Sequence, residues 1–221
     1  MGRAREALYP DVHPDDLRMP HVEPGMRIGL FGGSFNPPHE GHVLVAETAL
    51  RTLRLDRLWW IVTPGNPLKD HSELAPLAQR NAASRKLIED RRIQVTAFEA
   101  GHRLRYTADV VRLVLARNRA ARFVWVMGAD NMRTFHRWQE WRSIVEVVPI
   151  AVVDRPGSTL AYLSSKLAIT YARARVDEDD AATLAGRDAP AWTFLHGPRS
   201  NASSTALRAE RTSSTGVVGA A

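Results

Sequence analysis

The stretch GLFGGSFNPPHEGH, residues 29–42, packs glycines, a serine, paired prolines and two histidines into one turn. These groups suit binding an anion better than attacking a carbon or phosphorus centre. Gly32 and Gly33 would let the backbone approach a phosphate closely. A helix starting near Gly41 would aim its free N–H groups and positive dipole end at the same anion. His39 and His42 are three apart at a helix start and face one side, so both could reach one phosphate. The turn lacks the lysine of a P-loop and the spacing of a dinucleotide fingerprint. Zinc fits poorly, because HEGH is shorter than HExxH and offers no third ligand nearby. The plain alternative is a tight strand-to-helix turn whose histidines only fill space.

The surrounding segments alternate in period. MRIGLF (26–31) is an apolar run ending in glycines, and HVLVAETALRTLRL (42–55) carries Val45, Ala49 and Leu53 at helical spacing. RLWWIVT (57–63) reads as a buried strand, followed by a proline-containing loop and a helix at about 76–90. IQVTAFE (93–99), a helix over 107–118, the strand ARFVWVMG (121–128), and the strands VVPIAVVD (147–154) and AWTFLHG (191–197) continue the alternation. SSTALRAER (203–211) reads as a last helix with Ser203 or Ser204 as N-cap. DEDDAA (177–182) reads as a solvated helix face or loop. The expected fold class is α/β, a doubly wound parallel sheet covered on both faces, in a single domain over 26–211. Residues 1–25, punctuated by Pro10, Pro14, Pro20 and Pro24, read as a flexible extension, and 212–221 as a frayed tail.

The chain has 221 residues and is 44% hydrophobic, enough for one domain with a real core. Lys+Arg 30 against Asp+Glu 24 gives +6, but the basic residues are spread along the chain. That favours small phosphorylated ligands and leaves nucleic acid as the weaker reading, so no nucleic-acid partner is expected. The absence of cysteine excludes disulfides, thiolate catalysis and cysteine-ligated zinc, and suits a reducing cytoplasm. The N-terminal segment has no apolar core of a signal peptide, and no stretch of about 18 apolar residues exists to span a bilayer, so no membrane partner is expected.

GGSFNPPHEGH resembles the GG[ST]F[DN]PxHxGH signature of the nucleotidyltransferase superfamily that includes nicotinate-mononucleotide adenylyltransferases. MGADNMRTFHRWQEW (127–141) is similar to that family's G-x-D…W segment, and NASSTALR (201–208) to its I-S-S-T-x-[IV]-R element, with Ala202 where isoleucine is common. The three motifs occur in the family's order. Pantetheine-phosphate adenylyltransferases usually carry threonine where this chain has His39, and cytidylyltransferases usually lack the G-A-D…W form. These, and a non-catalytic nucleotide-binding protein, are the alternatives.

The resemblance implies a Rossmann-like nucleotidyltransferase fold that joins the α-phosphate of ATP to a mononucleotide phosphate, here nicotinate mononucleotide, and releases pyrophosphate. It implies Mg²⁺ with ATP, and no metal held by the protein itself. By similarity His39, His42 and Arg208 would be catalytic, with His42 near the α-phosphate. Gly32, Gly33, Ser34, Phe35, Lys69, Gly128, Asp130, Ser203, Ser204 and Thr205 would bind ATP, Asp130 at its ribose. Trp138 would stack on the pyridine ring, with Trp141 as rival. Thr107 and the backbone around Thr134 would meet the nicotinate carboxylate. A homo-oligomer is compatible with the sequence.

Overall fold

A computed structural model describes residues 8–65, 74–154 and 163–197. Six strands form one sheet: β1 (Arg27–Gly33), β2 (Arg57–Val62), β3 (Ile93–Thr96), β4 (Arg122–Gly128), β5 (Ile150–Val153) and β6 (Trp192–Leu195). Their order is β3-β2-β1-β4-β5-β6, and every neighbouring pair is parallel. Parallel neighbours need crossovers. The helices α1 (Glu40–Thr52), α2 (Leu77–Leu87), α3 (Phe98–His102), α4 (Thr107–Arg117), α5 (Trp141–Val147) and α6 (Lys166–Thr170) lie in those connections.

The strands bury both faces, which is why their sequences read as continuous apolar runs. On one face Phe31, Trp60, Val62, Val124, Val126 and Val153 pack with Val45, Ala49, Leu50 and Leu53 of α1. On the other, Leu30, Trp59, Ile61, Trp125 and Val152 pack with Val110, Val111 and Val114 of α4 and Ile144 and Val145 of α5. Burying each large side chain contributes roughly 1.5–3 kcal/mol, so this two-sided core holds the strand ends that carry the site. Among the described residues, no helix is long and apolar enough to cross a membrane.

Three expectations change. Residues 8–25 are not a loose extension: Val12 and Leu17 are buried in the core, and the Asp16 carbonyl accepts the Ala97 N–H at 2.8 Å and the Thr96 hydroxyl at 3.2 Å. The third strand stops at Thr96, because the Thr96 hydroxyl accepts the Phe98 N–H at 3.1 Å and turns the chain into α3. The acidic patch, by contrast, is the solvated helix face it reads as: Asp177, Asp179 and Asp180 are exposed at the start of a 3-10 helix, Glu178–Gly186, whose other side buries Ala181, Leu184 and Ala185 on the sheet. The third change is the fifth strand, expected over 147–154: Val147 ends α5, and β5 runs only from Ile150 to Val153.

Candidate active site

The strand order reverses between β1 and β4: the chain runs outward from β1 through β2 to β3, then returns to β4 and continues through β5 to β6. Ligands of open parallel sheets bind beyond the carboxyl ends of strands at such a point. β1 and β4 are neighbours, paired up to Phe31 and Val126, so the segments that follow them, 34–42 and 129–138, leave the sheet from adjacent strands.

A Cβ on Gly32 would lie 2.9 Å from Cη2 of Trp125, and one on Gly33 would lie 3.0 Å from Cζ of Phe35. These glycines are therefore required by the rings beside them as well as by any ligand. Phe35 holds a left-handed φ of 45°, which is unusual for a bulky residue. Its buried ring stacks on Trp60 at 4.3 Å and meets the His42 ring edge-on at 5.0 Å. The Phe35 side chain thus faces inward and supports His42, so the expected ATP contact would fall to the Phe35 backbone.

His39 caps α1 in extended backbone, and its N–H donates to Nδ1 of His42 at 3.3 Å. The two rings lie 3.8 Å apart at 34°. Because Nδ1 of His42 accepts, a neutral His42 ring carries its proton on Nε2, leaving an N–H donor on the opposite edge; this tautomer is assigned from the hydrogen bond. The first intrahelical bonds run from His42 and Val43 to the His39 carbonyl, which leaves the Glu40 and Gly41 N–H groups at the open end of α1. Histidine donors and helix N–H groups together make an anion cradle.

On the β4 side, Gly128 ends the strand and precedes a 3-10 helix, Ala129–Arg133, with Asp130 exposed in its first turn. Thr134 is exposed, but its N–H donates to the Asn131 carbonyl at 3.0 Å. That donor, expected to meet a carboxylate, is already engaged. Thr107 opens α4, where Asp109 and Val110 N–H groups both bond the Tyr106 carbonyl and leave those of Thr107 and Ala108 at the helix end. Arg112 of α4 bonds Asp109 at 3.1 Å and also Glu140, the residue before α5, so these two segments are tied together.

Trp138 is half-buried, edge-on to Phe135 at 5.2 Å and to Trp125 at 6.2 Å. Trp141 is buried between Phe135 and Tyr171. Of the two rivals, Trp138 is the one with ring surface left for a ligand. Trp125 meets both sides: it fills the space above Gly32 and supports Trp138.

Lys69, Ser203, Ser204, Thr205 and Arg208 lie outside the described residues. Among the described residues no three histidine, aspartate or glutamate side chains converge as a metal site. Sequence reasoning passed over Arg80 of α2, which is buried and bonds the backbone of the phosphate turn. Its signal was spacing: Leu77, Arg80, Asn81 and Ser84 share one helix face, and all four are buried.

Residues 30–210 match the cytidylyltransferase-like family. A protein of Rhizobium meliloti (strain 1021) named "Probable nicotinate-nucleotide adenylyltransferase" is 67% identical over 186 residues, covering 84% of this chain and 99% of that protein. A Brucella abortus (strain 2308) protein of the same name is 62% identical, covering 83% of this chain and 94% of its own length. The fold is similar to that of Plasmodium falciparum nicotinic acid mononucleotide adenylyltransferase complexed with NaAD, at a TM-score of 0.64, 15% identity and 83% coverage of both chains. With its switch-point crevice and these relatives, the chain belongs to the cytidylyltransferase-like family of nucleotidyltransferases.

Proposed function

We propose that this chain transfers the adenylyl group of ATP to nicotinate mononucleotide, giving nicotinate adenine dinucleotide and pyrophosphate in NAD biosynthesis. The observation that carries the substrate assignment is the 67% identity over 99% of the Rhizobium meliloti relative. The geometry supports the chemistry. A mononucleotide phosphate oxygen attacks the α-phosphorus in line, the bond to the bridging oxygen breaks, and pyrophosphate leaves with both electrons of that bond. No protein nucleophile is required, and positioning with charge stabilisation suffices.

His42 Nε2–H donates to a nonbridging α-phosphate oxygen, where negative charge grows, and His39 orients it through the backbone bond to Nδ1. Asp130 accepts from the ribose of ATP. Trp138 stacks on the pyridine ring, and the Thr107 and Ala108 N–H groups at the start of α4 face the nicotinate carboxylate. Mg²⁺ arrives with ATP as part of the substrate, held mainly by phosphate oxygens and water. Arg208 and the Ser203–Thr205 hydroxyls, carried over by similarity, grip the β- and γ-phosphates. The reaction takes place in the cytoplasm, in keeping with a chain that has no cysteine.

The test is pyrophosphate release from Mg²⁺-ATP with each mononucleotide. A carboxylate only accepts, whereas an amide turns an NH₂ toward the same N–H donors, so kcat/KM should favour the acid by about a hundredfold or more. Turnover with pantetheine phosphate or CTP but neither mononucleotide overturns the assignment. Equal kcat/KM for the two mononucleotides overturns the acid preference.

A further inference from the structure

Arg80 is 2% exposed, yet among the described residues its bonds go only to neutral carbonyls. Nε donates to Ala75 at 2.8 Å, Nη1 to Ser34 and Thr63 at 2.7 Å each, and Nη2 to Pro64 at 3.2 Å. These acceptors come from three segments: the turn after β1, the loop after β2, and the lead-in to α2. Two further bonds tie the same pieces, Thr63 N–H to the Gly33 carbonyl at 3.0 Å and Ala75 N–H to Asn36 Oδ1 at 3.1 Å.

The orientation of these carbonyls matters. In a trans peptide the C=O and the following N–H point in opposite directions. Carbonyls of Ser34 and Pro64 drawn toward the buried guanidinium therefore turn the N–H groups of Phe35 and Gly65 away from it. The carbonyl oxygens, which would repel an anion, are held inward. A planar fork with five donors can hold four acceptors in fixed directions, and a single ammonium cannot. Burial lowers the Arg80 pKa to about 10, so the group keeps its charge at neutral pH beneath the phosphate turn.

We propose that Arg80 is a positioning residue for the triphosphate. By gathering the carbonyls of Ser34, Thr63, Pro64 and Ala75, it locks the GGSFNPP turn to the loop after β2 and presents backbone donors to phosphate oxygens. This rests on the reading of the turn as the ATP site.

Arg80→Met and Arg80→Lys in the full chain test it, with folding checked by circular dichroism and melting temperature. Two quantities are read: kcat and KM for each substrate, and calorimetric binding of a non-reactive α,β-methylene ATP. Small misplacements of reacting groups cost about a hundredfold, so Arg80→Met should lower kcat/KM for ATP by about thirtyfold or more and weaken the analogue in parallel. KM for the mononucleotide should stay within about threefold. Arg80→Lys should recover only part of the loss.

An equal rise in KM for ATP and for the mononucleotide, or full recovery by lysine, overturns the positioning role and leaves Arg80 as a stabilising residue. Unchanged ATP parameters overturn it outright. If Arg80→Met does not fold, Arg80→Lys carries the same comparison. An unmutated chain that releases no pyrophosphate refutes the proposed reaction, and the calorimetric arm still decides Arg80 by its effect on triphosphate binding.

Discussion

The two banks of the crevice are held by opposite means. The bank after β1 and β2 is fixed by directional bonds: Arg80 to four carbonyls, Ala75 N–H to Asn36 Oδ1, and His39 N–H to His42. The bank after β4 is fixed by rings, with Trp138 edge-on to Phe135 and Trp125. Hydrogen bonds set angles as well as distances, which suits phosphate oxygens passing through a transition state. Ring packing sets a surface and tolerates small displacements, which suits a flat heterocycle. The difference predicts that damage on the first bank appears in turnover and in ATP binding, and damage on the second in mononucleotide binding with little change in turnover.

His42→Ala should show the largest effect. It removes the Nε2–H donor to developing charge, so kcat should fall about a hundredfold or more with the fold intact, as steady-state pyrophosphate release would show. If KM for ATP rose while kcat held, His42 would be a ground-state binder and its role as donor to the developing charge would fail.

Trp138→Ala comes next. Base–aromatic stacking contributes about 1–3 kcal/mol, so KM for the mononucleotide should rise about tenfold with kcat within a few-fold. The ring senses an aromatic face and not its substituent, so the ratio between nicotinate and nicotinamide mononucleotides should stay nearly unchanged. A collapsed ratio would move the discrimination from the α4 N–H groups to the indole.

Gly32→Ala should act on both banks, more weakly. The added Cβ lies 2.9 Å from Trp125, whose ring in turn supports Trp138. Overpacking of this kind costs about 1–3 kcal/mol, and the displaced indole should raise KM for both substrates a few-fold. A change confined to ATP would show that the glycine serves the phosphate alone.

What was legible in the sequence follows the range of the forces. The GGSFNPPHEGH turn and the run RFVWVMG of β4 could be read because glycine chemistry, capping and two-sided burial leave local traces. Arg80 left only a spacing. In LAQRNAASRKL it reads as one more solvated helix residue, because its acceptors lie 16, 17 and 46 residues away as well as five. Residues 8–25 misled for the same reason: their prolines and charges look unstructured, while the bonds from Thr96, Ala97 and Asn81 to Asp16 join distant parts of the chain. The inward-facing ring of Phe35 depends on Trp60, a strand away.

Glu99 gives the smallest effect on turnover and the sharpest contrast with Arg80. Both are buried ionisable side chains, but Arg80 has four acceptors, whereas burial alone acts on Glu99 and pushes its pKa from 4.5 up to about 8. The folded chain therefore keeps this proton at pH values where the unfolded chain has lost it. Stability contributed by this group is intact below pH 4.5, declines as pH rises from there to about 8, and is level beyond. Glu99→Gln cannot ionise and should lack that decline. Relative to the unmutated chain, its melting temperature should gain at least about 3 °C at pH 8.5, and the gain should shrink to about 1 °C or less near pH 4.5. Other titrating groups are common to both chains and cancel in the difference, while kcat at neutral pH should stay within about twofold because the neutral acid and the amide have similar shape. Melting curves that run parallel across this range would show that Glu99 is solvated as well in the folded chain as in the unfolded one, and that its burial does not set its charge.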